Sequence, residues 1–97
     1  MAAVRLMVRG RVQGVGFRQF VAEEAQAHGL RGWVRNRRDG AVEALVVGSE
    51  DSVAVFSEAV RGGPGSAAVE QLVAEKADEK ELSLRQPGEP FSILPTA

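Results

Sequence analysis

Val4-Arg5-Leu6-Met7-Val8-Arg9-Gly10-Arg11-Val12-Gln13-Gly14-Val15-Gly16-Phe17-Arg18-Gln19-Phe20 holds a strand, a loop and a helix start in one run. Val4, Leu6 and Val8 alternate with Arg5, Met7 and Arg9, the period of a strand over residues 4–10. From Phe17 the period changes. Phe17, Phe20, Val21, Ala25 and His28 recur at helical spacing, and Gly29 stands where a C′ glycine ends a helix. Between the two lies a glycine-rich loop, Gly10 to Gly16.

Working outward, residues 32–37 and 41–47 read as two strands joined at Arg38-Asp39-Gly40, since Asp-Gly is a strong hairpin signal. Ser49 can cap a second helix whose first turn carries Glu50 and Asp51. Val53, Phe56 and Val60 form its apolar stripe, and Gly62-Gly63-Pro64 ends it. Residues 67–82 set propensity against topology. Ala67 to Ala77 is rich in helix formers, yet the order of elements asks for a strand, and a strand is the reading adopted. Gln86 to Pro90 is turn-like, and Phe91-Ser92-Ile93-Leu94 reads as a short edge strand.

The order βαββαβ predicts one α+β domain over residues 1–97, with two helices packed on one face of an antiparallel sheet of four to five strands. Its first strand–helix–strand unit should be a right-handed crossover between parallel strands. Parallel strands end at the same edge of a sheet. The loop at residues 11–17 is therefore expected beside the strand end near Asn36.

The two helix starts differ in chemistry. The second has Ser49 and two acids, which satisfy orphan amides and the positive end of the dipole. The first has no Ser, Thr, Asp or Asn at 13–16 and carries Arg18 in its first turn. A cation there is unfavourable by roughly 0.3–1 kcal/mol. Free amides, flexible Gly14 and Gly16, and a misplaced arginine make sense together if an external anion completes the cap. Walker A needs Gly-Lys-Ser/Thr, and Phe17 and Arg18 follow Gly16 instead; the dinucleotide fingerprint needs a glycine where Gln19 stands. A purely structural glycine turn is the rival reading of the loop.

Composition limits the remaining classes. Hydrophobic residues are 44% and charged residues 26%, the balance of an ordinary soluble domain. There is no apolar run long enough to span a membrane, and Arg5 and Arg9 interrupt any signal-peptide core. Cysteine is absent, which excludes disulfides, Cys–metal sites and thiol catalysis and fits a cytoplasmic location. The net charge of −1 hides a split: residues 1–38 hold eight arginines and two acids, while the rest is acidic. Arg35, Arg37 and Arg38 are expected to be solvated and to help steer anions. His28 is expected to meet carbonyls at the helix end. Trp33 and Phe17 are expected in or near the core. Glu75 to Glu81 is expected to be solvated surface, and no metal or cofactor is predicted.

Gly10-Arg11-Val12-Gln13-Gly14-Val15-Gly16-Phe17-Arg18 resembles the first signature of the acylphosphatase family, and Gly32-Trp33-Val34-Arg35-Asn36-Arg37-Arg38-Asp39-Gly40 resembles the second, in matching order and spacing. Gly63 to Val69 and Phe91-Ser92-Ile93 are similar to lesser landmarks of the family. The resemblance implies a ferredoxin-like fold. It implies that Arg18 binds phosphate, that Asn36 positions water, and that the backbone of Val12, Gln13, Gly14, Val15, Gly16 and Phe17 cradles the phosphoryl group. The implied substrate is a small acyl phosphate, with inorganic phosphate released and no metal used.

That chemistry suits these residue types. A carboxylate leaves readily, so the remaining tasks are placing water in line with phosphorus and offsetting charge on the equatorial oxygens. Arginine's fork can hold two phosphate oxygens, and an asparagine amide holds water at any pH. A monomer acting without nucleic acid or membrane is expected. One rival is an RNA-binding sheet, but only Trp33 and Phe91 among five aromatics fall on strands, so a stacking platform is missing. Another is an accessory unit that binds carbamoyl phosphate for a larger enzyme, which would need a separate partner.

Overall fold

The alternation at the start of the chain becomes strand β1 (Ala2–Arg11), and the helical period becomes α1 (Phe17–Ala27). β2 (Arg31–Asn36) and β3 (Val42–Gly48) follow, then α2 (Glu50–Gly62), β4 (Ala68–Lys76), a short 3-10 helix (Glu79–Leu84) and β5 (Phe91–Ile93). These elements come from a computed structural model that describes residues 1–97. No helix is long and apolar enough to cross a membrane.

The sheet order is β4-β1-β3-β2-β5. β1 and β2 both run antiparallel to β3, so they run parallel to each other with β3 between them. Their C-terminal ends therefore share one edge, which carries both the glycine loop and Asn36. The four long strands pair antiparallel as expected, whereas β5 pairs parallel with β2. The sheet is mixed at that edge because the chain turns back once after β4, which is itself antiparallel to β1.

β4 forms as topology requires, against its local propensity, and it ends at Lys76 rather than continuing to residue 82. Its pairing with β1 shifts register between Arg9 and Gly10. Such a bulge puts an extra residue on one strand. Val69 and Leu72, three residues apart, consequently both pack against the helix-side core. The spacing that imitates a helix in the sequence is that of a bulged strand. Gly10 permits the close approach: its φ is 130°, and a Cβ would stand 2.2 Å from the Ala68 carbonyl oxygen.

Helices α1 and α2 cover one face, where Leu6, Val8, Val12, Phe17, Val21, Val34, Val46 and Phe56 form the main core. The other face is also covered. Trp33, Leu45 and Leu94 form a second small cluster, closed by Ala77 and Leu82. The indole Nε1 of Trp33 donates to the Glu81 carbonyl at 2.8 Å. Burial of a tryptophan this complete is worth about 3–5 kcal/mol against alanine. The expected solvated segment is thus partly structural. Asp78 caps the 3-10 helix in a reciprocal box with Glu81.

Buried Glu43 sits on this same face and gathers three arginines. Arg35 Nε lies 2.8 Å from it, Arg5 Nε 3.3 Å and Arg37 Nη1 3.3 Å. Arg35 also lies 4.7 Å from the centroid of the Trp33 ring. Arg35 and Arg37 are therefore partners of a buried carboxylate rather than free surface charge, because a buried charge is costly unless paired. Arg38 remains exposed. A hydrogen bond with Glu81 pushes the Arg5 pKa up, against the opposing effect of burial.

Candidate active site

The entrance to α1 is built without a cap. Its N-cap residue is Gly16, at φ 77° and ψ 16°, with no side-chain hydrogen bond and no acid in the first turn. Gly14 is also left-handed, at φ 75°. Alternating handedness of this kind is how backbone amides form an anion nest. The first amide of this region with a helical partner is Phe20, which donates to the Gly16 carbonyl at 3.1 Å. No amide from Gln13 to Gln19 donates a hydrogen bond within the chain. The partial positive charge of the dipole is thus left whole.

The loop is nevertheless anchored. Val12 and Phe17 at its ends are each 1% exposed. The Gln13 carboxamide reaches the β2–β3 hairpin, where its Nε2 donates to the carbonyls of Arg37 at 2.8 Å and Ala41 at 2.9 Å. Ser66 Oγ donates to the Val15 carbonyl at 3.3 Å. A trans peptide points its N–H opposite its C=O, so this contact turns the Gly16 amide away from Ser66.

A cleft of ≈ 290 Å³ opens at this place, lined by Val12, Gly14, Gly16, Phe17, Arg18, Gln19, Asn36 and Ile93. Arg18 is half-buried there and belongs to none of the ion pairs, which engage Arg5, Arg9, Arg35, Arg37 and Arg61. Asn36 enters from the end of β2, where it pairs with Val42 and its carbonyl accepts from Ala97 N at 3.0 Å. Its Oδ1 is buried and has no partner. Leaving a buried acceptor unmatched costs about 1–3 kcal/mol, so such an atom calls for an external donor.

Of the residues singled out in the sequence, Arg18, Asn36, Val12, Gly14, Gly16 and Phe17 meet around this cleft. Gln13 and Val15 belong to the loop but do not line the cleft. Gln19 and Ile93 were missed. Gln19 was legible as the neighbour of Arg18 in the first helical turn. Ile93 arrives through its pairing with Val34, a register that local sequence does not display. His28 lies at the far end of α1, with Nδ1 2.8 Å from the Glu24 carbonyl, where the sequence places it.

A larger groove of ≈ 950 Å³ lies elsewhere, between the start of β1, α2 and the end of β4. It contains neither the uncapped amides nor the unmatched Asn36 oxygen, so size does not decide which cleft carries the chemistry.

The Acylphosphatase family model matches residues 4–91. An acylphosphatase from Bradyrhizobium diazoefficiens is 53% identical over 95 residues, covering 98% of this chain and 96% of the relative. One from Rhodopseudomonas palustris is 55% identical over 92 residues, covering 95% and 93%. The crystal structure of an acylphosphatase from Bacillus subtilis superposes with a TM-score of 0.83 at 41% identity, over 97% of this chain and 99% of that one.

Proposed function

Since this chain belongs to the acylphosphatase family, we propose that it hydrolyses the carboxyl-phosphate anhydride of small acyl phosphates to a carboxylate and inorganic phosphate. The observation that carries this reading is the α1 entrance: amides from Gln13 to Gln19 without partners, beside an arginine without an acid.

The phosphoryl group sits against the loop amides and the Arg18 fork. Charge on its equatorial oxygens is met by donors fixed in place before the reaction. Arg18 takes two oxygens at once. Asn36 supplies a buried carbonyl oxygen that accepts a hydrogen from water and aims that water at phosphorus. Water attacks in line, the P–O bond to the carboxylate breaks, and the electron pair leaves with the carboxylate. The attacking water's proton passes to the phosphoryl oxygens of the substrate, so no side-chain base is required. No covalent intermediate forms on the protein, and no metal takes part.

A guanidinium stays a cation and a carboxamide stays neutral through the neutral range. The rate should therefore be nearly flat around neutral pH, and a steep titration in the imidazole range would contradict the scheme. In this reading the chain works as a single domain and a monomer in the cytoplasm, without nucleic acid or membrane. The test is release of phosphate from benzoyl phosphate by the purified chain with a chelator present. Turnover that survives chelation supports the proposal; no release above the spontaneous rate overturns it.

A further inference from the structure

The reaction needs two groups that belong to different elements. The phosphate loop follows β1, and Asn36 ends β2, a strand that does not pair with β1. Something must fix the distance between them. Gln13 is the side chain of the loop that crosses to the hairpin after Asn36. Both hydrogens of its Nε2 are used, one on the Arg37 carbonyl at 2.8 Å and one on the Ala41 carbonyl at 2.9 Å. Those carbonyls already accept backbone bonds across the turn, from Gly40 N at 3.1 Å and Arg37 N at 2.8 Å. Each carbonyl has a second lone pair, and Gln13 takes it. The side chain thus grips the carbonyl of the residue just after β2, Arg37, and that of the residue just before β3, Ala41.

Resting on the function proposed above, we propose that Gln13 is a positioning residue: its carboxamide sets the spacing between the phosphate loop and Asn36. The carboxamide itself touches neither phosphate nor water. Without it, the loop and Arg18 still bind phosphate, but the water held by Asn36 loses its line to phosphorus. Misplacement by about 1 Å can cost on the order of 10²-fold in rate.

Gln13→Ala and Gln13→Met are compared with the parent for kcat, KM and inhibition by inorganic phosphate, after thermal melts establish that each folds. Gln13→Met keeps the bulk and lacks the donors. Both variants should lose about 10–100-fold in kcat, with phosphate inhibition changed by less than about threefold. In an Asn36→Ala background, Gln13→Ala should have almost no further effect, because residues that act through one another are not additive. Full kcat in Gln13→Met, a parallel loss of phosphate affinity, or additive losses in the double variant would each overturn the proposal. Failure of the parent to hydrolyse any acyl phosphate overturns the function itself and is seen before any variant is made.

Discussion

The two helices of this molecule begin in opposite ways. At α2, Ser49 Oγ accepts from Ser52 N at 3.1 Å, and Glu50 and Asp51 fill the first turn. At α1 the N-cap is a left-handed glycine, the first turn holds Arg18, and the amides are unspent. Both helices pack an apolar stripe on the same core. The difference therefore lies in what each entrance is for. α2 is completed by its own side chains and contributes stability. α1 gives up about 1 kcal/mol of capping and keeps its positive end available for an anion.

The sharpest way to break this contrast is to remove the cation. Arg18→Ala should lower turnover by about 10³-fold or more and abolish phosphate inhibition. Its melting temperature should stay level or rise, because a cation at a helix N-terminus is unfavourable. Arg18→Lys should recover little, since a point charge does not reproduce the fork. Kinetics and calorimetry on the same samples check both halves. A large loss of stability in Arg18→Ala would mean that the arginine holds the fold.

Asn36→Ala comes next. Turnover should fall by about 10²-fold or more while phosphate inhibition survives, because the carboxamide acts on water. The contrast can also be erased by giving α1 the kind of cap that α2 has. At Gly16 nothing lies within 4 Å of a built Cβ, so the strain of Gly16→Asp is that of its φ of 77° alone. Asp tolerates that conformation better than most residues. Its carboxylate would take the free amides, and phosphate affinity should drop by at least about tenfold through like-charge opposition. Retained affinity would show that the amides are not the anion site.

Much of this is readable in the sequence alone. The strand and helix periods on either side of the loop, the Ser49 cap and the stripe of Val53, Phe56 and Val60 are local patterns, and each appears where the sequence puts it. The position of Asn36 beside the loop followed from topology alone. What was not legible depended on register or on long-range side-chain contact. The bulge opposite Arg9 disguised β4. Glu43 meets Arg35 only once β2 and β3 are aligned. The grip of Gln13 on Arg37 and Ala41 joins residues that no local rule connects. The 3-10 helix had a readable start at Asp78 and Glu81, but the charge of that stretch pointed to solvent instead.

The α2 side of the contrast gives smaller effects. Ser49→Ala should cost about 1 kcal/mol of stability, roughly a fivefold change in the folding constant, and leave kcat and KM untouched. Loss of activity there would mean that the helix entrances are not independent. The smallest effect lies at the hairpin. The Ala41 amide, and then Arg9, hold the Asp39 carboxyl below its usual range. A depressed pKa contributes stability above the unfolded value, about 3.9, that is lost as pH falls through the folded value. The advantage of the parent over Asp39→Ala should be present at pH 5–7 and fade below about pH 4. Melts across that window test it.

The central claim is that the amides at the start of α1 are the seat of an oxyanion. Titrating isotope-labelled protein with inorganic phosphate and following amide resonances tests it directly. Saturable shifts centred on Gly14 through Arg18, absent in Arg18→Ala and absent at Glu50 to Val53, are the predicted result. A protein that turns over acyl phosphates while those loop amides stay unmoved by phosphate would contradict it.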